Sequence, residues 1–123
     1  MSAKSAKAKG RRLQNMLRDI LRDTFPQLEE DDIKSQTMGM SGEDIVLSPA
    51  ARKVIKYSFE CKNVERLDLW KSLAQADGNS DDRDPVLVMK RNQSKTYAIV
   101  ELDTFIDLIK EQDVLRTNKQ KAL

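Results

Sequence analysis

The sequence predicts a single α/β domain in which a central mixed sheet of five strands is flanked by helices. Apolar residues recur at helical spacing in three segments, and five short apolar or alternating segments read as strands. The predicted order is α-β-β-β-α-β-β-α, which is typical of a sheet covered by helices. A chain of 123 residues is long enough for one hydrophobic core.

The first helix is predicted to begin at Gly10 and to end before Pro26, because the residue before a proline disfavours the α region. Its apolar stripe consists of Leu13, Met16, Leu17, Ile20, Leu21 and Phe25. Residues 1–9 are Ala, Lys and Ser without apolar periodicity, and they are predicted to form a flexible basic arm. The domain proper therefore spans residues 10–118.

Three strands are predicted next, at residues 33–38, 44–48 and 55–62. The second and third are separated by a turn, or one helical turn, around Pro49. A shorter helix follows from Leu67 to Asp77, with Trp70 on its stripe as a core residue or a dimer contact; a base-stacking platform is the less favoured alternative. The last strands cover residues 86–89 and 96–100. Asp103 is predicted to cap a final helix, and residues 119–123 are predicted to be frayed.

Composition excludes several kinds of site. The chain has no histidine, so Ser-His-Asp triads, Cys-His pairs and ordinary zinc sites are excluded. Its single cysteine, Cys61, excludes an intrachain disulfide and indicates an intracellular protein. No apolar run is long enough for a membrane span, and no apolar segment follows the N-terminal lysines as a secretory signal requires.

Basic residues are concentrated at the N-terminus, although the formal net charge is only +2. They precede the first acidic residue of the chain and comprise Lys4, Lys7, Lys9, Arg11 and Arg12. Such a segment suits contact with the backbone of a nucleic acid. A merely solubilising segment has the same composition, so both interpretations stay open.

The candidate site lies on the second and third predicted strands. Side chains at i and i+2 share one face of a strand, so Glu60 and Lys62 project together while Cys61 points away. If these strands pair, Asp44 stands beside Glu60. Two carboxylates and an ammonium suit metal-dependent phosphodiester cleavage with Mg²⁺, for which Mn²⁺ can substitute. The alternative is a Glu60–Lys62 ion pair on the exposed face of an edge strand.

Two further polar residues are auxiliary candidates. Glu43 either assists Asp44 or points away from it, since adjacent strand residues face opposite sides. Gln75, on the second helix, either orients the lysine of the site or faces solvent.

Four segments in this order carry a resemblance to a known family: Lys9-Gly10 opening the first helix, Ser41-Gly42-Glu43-Asp44-Ile45, Phe59-Glu60-Cys61-Lys62, and Pro85-Val86-Leu87-Val88. From about residue 10 to residue 109 the chain resembles the PD-(D/E)XK, or restriction-endonuclease-like, nucleases. Within that superfamily it looks most like the small Holliday junction resolvases of archaea and of some bacteriophages.

The resemblance implies that Asp44, Glu60 and the backbone carbonyl of Cys61 bind the metal, with Lys62 as the catalytic lysine. Ser41 falls near a serine that these resolvases use at the junction. Gln14 stands where the family often has a glutamate, and an amide there puts a second metal in doubt. Lys34 stands where an arginine is common, so it joins the DNA-binding candidates of the N-terminus.

The sequence therefore predicts an Mg²⁺-dependent endonuclease that resolves four-way DNA junctions by paired symmetric nicks. One domain offers one site, so two nicks favour a two-fold homodimer. The expected location is the cytoplasm, or that of a host cell if the protein is viral. The alternatives are another nuclease of the same superfamily, such as a nicking enzyme or an exonuclease, and a non-catalytic nucleic-acid-binding module.

Overall fold

A computed structural model describes residues 2–37 and 39–122 of the chain. It contains four α-helices and five β-strands, which are, in order, α1 (Ala3–Thr24), β1 (Ile33–Ser35), β2 (Ile45–Leu47), α2 (Pro49–Val54), β3 (Tyr57–Asn63), α3 (Leu69–Gly78), β4 (Asp84–Lys90), β5 (Tyr97–Ile99) and α4 (Leu102–Ala122). The α/β class is confirmed. The turn predicted around Pro49 is the helix α2, which Ser48 caps by accepting the N–H of Ala51 at 3.1 Å.

Helix α1 begins seven residues earlier than the sequence predicts. Ser2 caps it, since its hydroxyl oxygen accepts the N–H of Ser5 at 3.1 Å. Alanine and lysine are strong helix formers, so the segment predicted as an arm continues the helix outward. Met1 of that arm, the predicted strand end at Met38 and Leu123 of the predicted tail lie outside the described residues.

The strands form two sheets, so the prediction of one five-stranded sheet is wrong. Strands β1 and β2 form an antiparallel pair. In the second sheet, β4 lies between β3, to which it is parallel, and β5, to which it is antiparallel. The sheet is therefore mixed, as predicted, but it has three strands.

The two sheets adjoin at Asp44. Its backbone N–H donates to the carbonyl of Phe59 in β3 at 3.0 Å, as in a strand pair. The next N–H of β3 that points to the same edge is that of Cys61. It donates to the Asp44 carboxylate at 2.6 Å. The Asp44 carbonyl accepts the N–H of Gln36 at 2.8 Å, so at Cys61 the carboxylate stands where a continuous ladder would use a backbone carbonyl.

The hydrophobic core lies between α1 and one face of the three-stranded sheet, and it extends to β1, β2 and α2. Its buried members are Leu13, Leu21, Ile33, Ile45, Leu47, Ala51, Ile55, Phe59, Cys61, Val86 and Val88. Helix α3 covers the opposite face, where Leu87 is fully buried. The sheet thus has one face against α1 and one against α3.

Helix α4 differs most from its predicted role. It begins at Leu102, so Asp103 lies within the first turn, where its charge favours the helix dipole, and does not cap the helix. The helix continues through the segment predicted to be frayed, to Ala122. Over residues 2–37 and 39–122, no helix combines the length and the apolar character needed to cross a membrane.

We predict that Leu87→Ala lowers the free energy of unfolding by about 2–5 kcal/mol, because it leaves a cavity in the central strand β4. Met16→Ala, on the partly exposed side of α1, is the matched control and should cost less than about 1 kcal/mol. Urea unfolding of both variants measures the difference. Equal small losses would mean that β4 is not the centre of the sheet.

Candidate metal and phosphate site

Asp44 is fixed against the edge of β3. Gly42, two residues earlier, has a φ of +104°, a conformation that glycine adopts without strain. The chain then turns into β2, and the Asp44 carboxylate reaches the N–H of Cys61 through Oδ2. Both the backbone and the side chain of Asp44 are therefore bound to β3.

Glu60 and Lys62 share one face of β3, as the sequence predicts. Glu60 is only 3% exposed, and its Oε1 lies 3.9 Å from Nζ of Lys62. Its second oxygen, Oε2, is buried without a hydrogen-bond partner among residues 2–37 and 39–122. The Glu60–Lys62 pair of the alternative interpretation is thus present on the edge strand β3, but its exposed face is contradicted, because Glu60 is buried.

The surroundings of the two carboxyl groups raise their pKa values. Burial, the larger cause, and the negative charge of Asp44 together raise the pKa of Glu60 to about 7, against the opposing effects of Lys62 and of a hydrogen bond from Asn79. Burial also raises the pKa of Asp44, although the N–H of Cys61, the charge of Lys62 and the Gln14 amide lower it. A cation between the two groups would relieve both the desolvation and the repulsion.

Cys61 contributes through its backbone. The N–H and C=O of one strand residue point to the same edge, so the Cys61 carbonyl faces the edge that holds Asp44. Its side chain is buried in the core on the opposite face from Glu60. Burial raises the pKa of the thiol, so the thiolate form that a nucleophile needs is disfavoured.

A cleft of about 180 Å³ opens over these groups. Gln14 and Gln75, both auxiliary candidates from the sequence, line it. Gln14 is buried, and its Oε1 has no hydrogen-bond partner in the described part of the chain. The other residues that line the cleft are Gly10, Thr37, Gly39, Met40, Asp44, Glu60, Cys61 and Lys62.

The oxygen atoms of this cleft would fit Mg²⁺ or Mn²⁺. Glu60 offers an unpartnered buried oxygen, Asp44 keeps Oδ1 beyond its bond to Cys61, and the Cys61 carbonyl lies at the same edge. Within the ranges that the structure describes, no three His, Cys, Asp or Glu side chains are grouped to hold a metal. The ion would therefore need the backbone carbonyl and water, of which Mg²⁺ usually keeps several.

Three predicted residues are not among those that line the cleft. Glu43 binds Arg83 at 3.1 Å and Arg52 at 3.4 Å, so its carboxylate belongs to a structural ion cluster. Ser41 is exposed in the loop before Asp44. Lys34 is exposed on β1, opposite Val46.

The basic residues of the N-terminus do not all share one environment. Lys4, Lys7, Arg11 and Arg12 are exposed on α1, whereas Lys9 is 6% exposed. The Lys9 carbonyl accepts the side-chain N–H of Asn63 at 3.1 Å, which joins α1 to the end of β3. Lys9 is thus buried, whereas the other basic residues of the N-terminus are exposed.

Sequence reasoning did not identify Thr37 and Met40 as cleft residues, because they belong to a loop without periodicity. It also treated Trp70 as core or as a dimer contact. Trp70 is 80% exposed, so the core interpretation is wrong. It lies at an apolar groove of about 580 Å³ between α3 and the last two strands.

Comparison of the chain with protein-family models, with curated proteins and with solved structures gives no match. The function must therefore be argued from the geometry and chemistry of the cleft.

We predict that Glu60→Gln stabilises the metal-free protein at alkaline pH. Because the folded state raises the pKa of Glu60 to about 7, neutral Glu60 stabilises the fold at low pH, and this stabilisation is lost as pH rises through 7. At pH 8 in EDTA the variant should be more stable by about 1–3 kcal/mol, and near pH 4 the two should agree.

Thermal unfolding across this pH range measures the difference. Glu30→Gln, at an exposed glutamate, is the control and should show no such pH-dependent gain. A Glu60→Gln variant that is no more stable than the parent at pH 8 would contradict the burial of an ionisable carboxyl.

Proposed function

We propose that the chain is a metal-dependent DNA endonuclease whose site is formed by Asp44, Glu60 and Lys62. The observation that carries the proposal is the position of two carboxyl groups and one ammonium in a single cleft, with a buried Glu60 oxygen that no described group binds. Such a set is costly for stability alone. A role in binding or catalysis explains why this group of charged side chains is present.

Asp44, Glu60 and the Cys61 carbonyl would hold Mg²⁺. When bound, the ion would stabilise negative charge on the phosphate and help a water molecule to become a nucleophile. The residues must first lose the proton that Glu60 holds near neutral pH, so binding would release protons. Because these residues are fixed on β3 and just before β2, binding of the ion would need little rearrangement of the protein.

Lys62 would act on the phosphate and on the attacking water. Its side chain is about one quarter exposed and lines the cleft beside Glu60. An ammonium there offsets charge that develops on the phosphate oxygens in the transition state and donates hydrogen bonds to them. Gln75 lines the same cleft from α3 and is near enough to this region to help position the lysine.

We further propose that the substrate is branched DNA, most simply a four-way junction. The exposed basic side chains of α1 provide positive charge next to the cleft, because Gly10 of the same helix lines it. The resemblance to the small Holliday junction resolvases supports this substrate. Two symmetric nicks need two sites, so the active form would be a homodimer inside the cell.

We predict that the protein nicks a labelled four-way junction in Mg²⁺ and not in EDTA, and that Glu60→Gln abolishes cleavage while junction binding is nearly unchanged. The amide keeps the shape of the side chain but cannot supply a carboxylate ligand. Linear duplex of the same sequence should remain intact. Equal cutting of duplex would retain the nuclease and reject junction selectivity, whereas binding without cutting would indicate a non-catalytic module.

We predict that Lys62→Met lowers the single-turnover cleavage rate by about 10²–10³-fold, the usual loss when one group that stabilises the transition state is removed. Lys53→Met, at an exposed position of α2, is the charge-matched control and should cleave normally. Similar rates for both variants would exclude a direct role of Lys62 in the reaction.

A further inference from the structure

Helix α4 is almost entirely unburied. Of its 21 residues, all of which the structure describes, Thr104 is the one that is buried. Large apolar side chains are exposed along it, among them Leu102 at 71% and Leu115 at 68%. Most helical stability in proteins comes from packing of an apolar face and not from intrinsic propensity. Among residues 2–37 and 39–122, the apolar side chains of α4 therefore have no surface against which they are buried.

Part of the exposed apolar surface of α4 has the spacing of a helix-pairing seam, whereas Leu102, Ile106 and Val114 lie off it. Phe105, Leu108, Gln112 and Leu115 follow one another at intervals of three, four and three residues, the a/d pattern of a coiled coil. Ile109 lies beside this seam. A single polar residue at an a position, here Gln112, is a known means of fixing the register of paired helices.

Charge along the helix indicates an antiparallel partner of the same kind. The first half, residues 102–111, carries three acids and one lysine, whereas residues 112–122 carry three bases and one acid. Two copies that run antiparallel place each acidic half against a basic half, and two parallel copies would oppose like charges. The same distribution also stabilises the dipole of a single helix. In a pair, the charges would determine the relative orientation of the two helices, and the apolar seam would supply the attraction.

We propose that α4 of one chain packs antiparallel against α4 of a second chain and forms the core of a two-fold homodimer. The apolar groove at Trp70 is lined by Ile99, Val100 and Glu101, which directly precede α4, so the apolar surface continues from the helix onto the domain. This inference rests on the proposed function only in that paired nicking requires two sites. Its evidence is the surface of α4.

Light scattering during size-exclusion chromatography tests the proposal. The parent protein is expected at twice the 14.1 kDa of one chain at micromolar concentration. The double variant Phe105→Glu, Leu108→Glu should be monomeric, whereas Ile20→Glu, at an exposed apolar site on α1, should remain dimeric. A monomeric parent, or a double variant that stays dimeric, would overturn the proposal.

Cysteine cross-linking tests the orientation without disturbing the seam. Glu111 flanks the seam next to residue 110, the midpoint of residues 105–115. In an antiparallel pair that stacks Phe105 on Leu115, Glu111→Cys therefore lies close to its own copy and should form a disulfide-linked dimer on mild oxidation. Lys121→Cys, near the end of the helix, should not. The parent, whose only cysteine is buried, is the background control. Cross-linking at position 121, or at neither position, would contradict the antiparallel pair.

Cleavage assays on the same samples separate this proposal from the nuclease. A monomeric parent that cuts DNA in an Mg²⁺-dependent way would reject the α4 pair and keep the endonuclease. A dimer through α4 that never cuts DNA would keep the pair and reject the endonuclease. If both hold, the Phe105→Glu, Leu108→Glu variant should nick single strands of a junction and lose the paired nicks.

Discussion

The hydrogen bond from the N–H of Cys61 to the Asp44 carboxylate belongs both to the join between the two sheets and to the candidate site. It takes the place of a backbone rung between Asp44, just before β2, and β3, at the point where the two sheets adjoin. The same bond brings the Asp44 side chain to the edge at which the Cys61 carbonyl points and places its charge beside Glu60. This contact thus lies where the two sheets adjoin and brings the Asp44 carboxylate near the Glu60 carboxyl group and the Cys61 carbonyl.

Glu60 shows what this arrangement costs. A carboxyl group with almost no solvent exposure, next to a second carboxyl, resists ionisation, and Lys62 at 3.9 Å compensates only in part. Replacing such a group by a neutral one would favour the fold, which is the usual relation between stability and activity at functional sites. The retained cost is understandable if a cation and a phosphate complete the site.

The sequence predicted what depends on local periodicity and missed what depends on long-range contacts. The apolar stripe of α1 and the shared face of Glu60 and Lys62 follow from periods of 3.6 and 2. The shared face is present, and four of the six stripe residues pack against the core, whereas Met16 and Ile20 are exposed. The break between the sheets was not predictable, because nothing in the pattern shows that a side chain will take the place of a backbone acceptor. Likewise, the stripe of α4 indicates a helix but not whether its own domain covers it.

The measurement that tests the central claim most directly is a titration with Mn²⁺ monitored by the electron paramagnetic resonance of the free ion. The account predicts that the parent protein binds Mn²⁺, that Asp44→Asn and Glu60→Gln lose this binding, and that Glu30→Gln keeps it. Binding that is the same in all four proteins, or is absent from the parent, would contradict a metal site at the junction of Asp44 and β3.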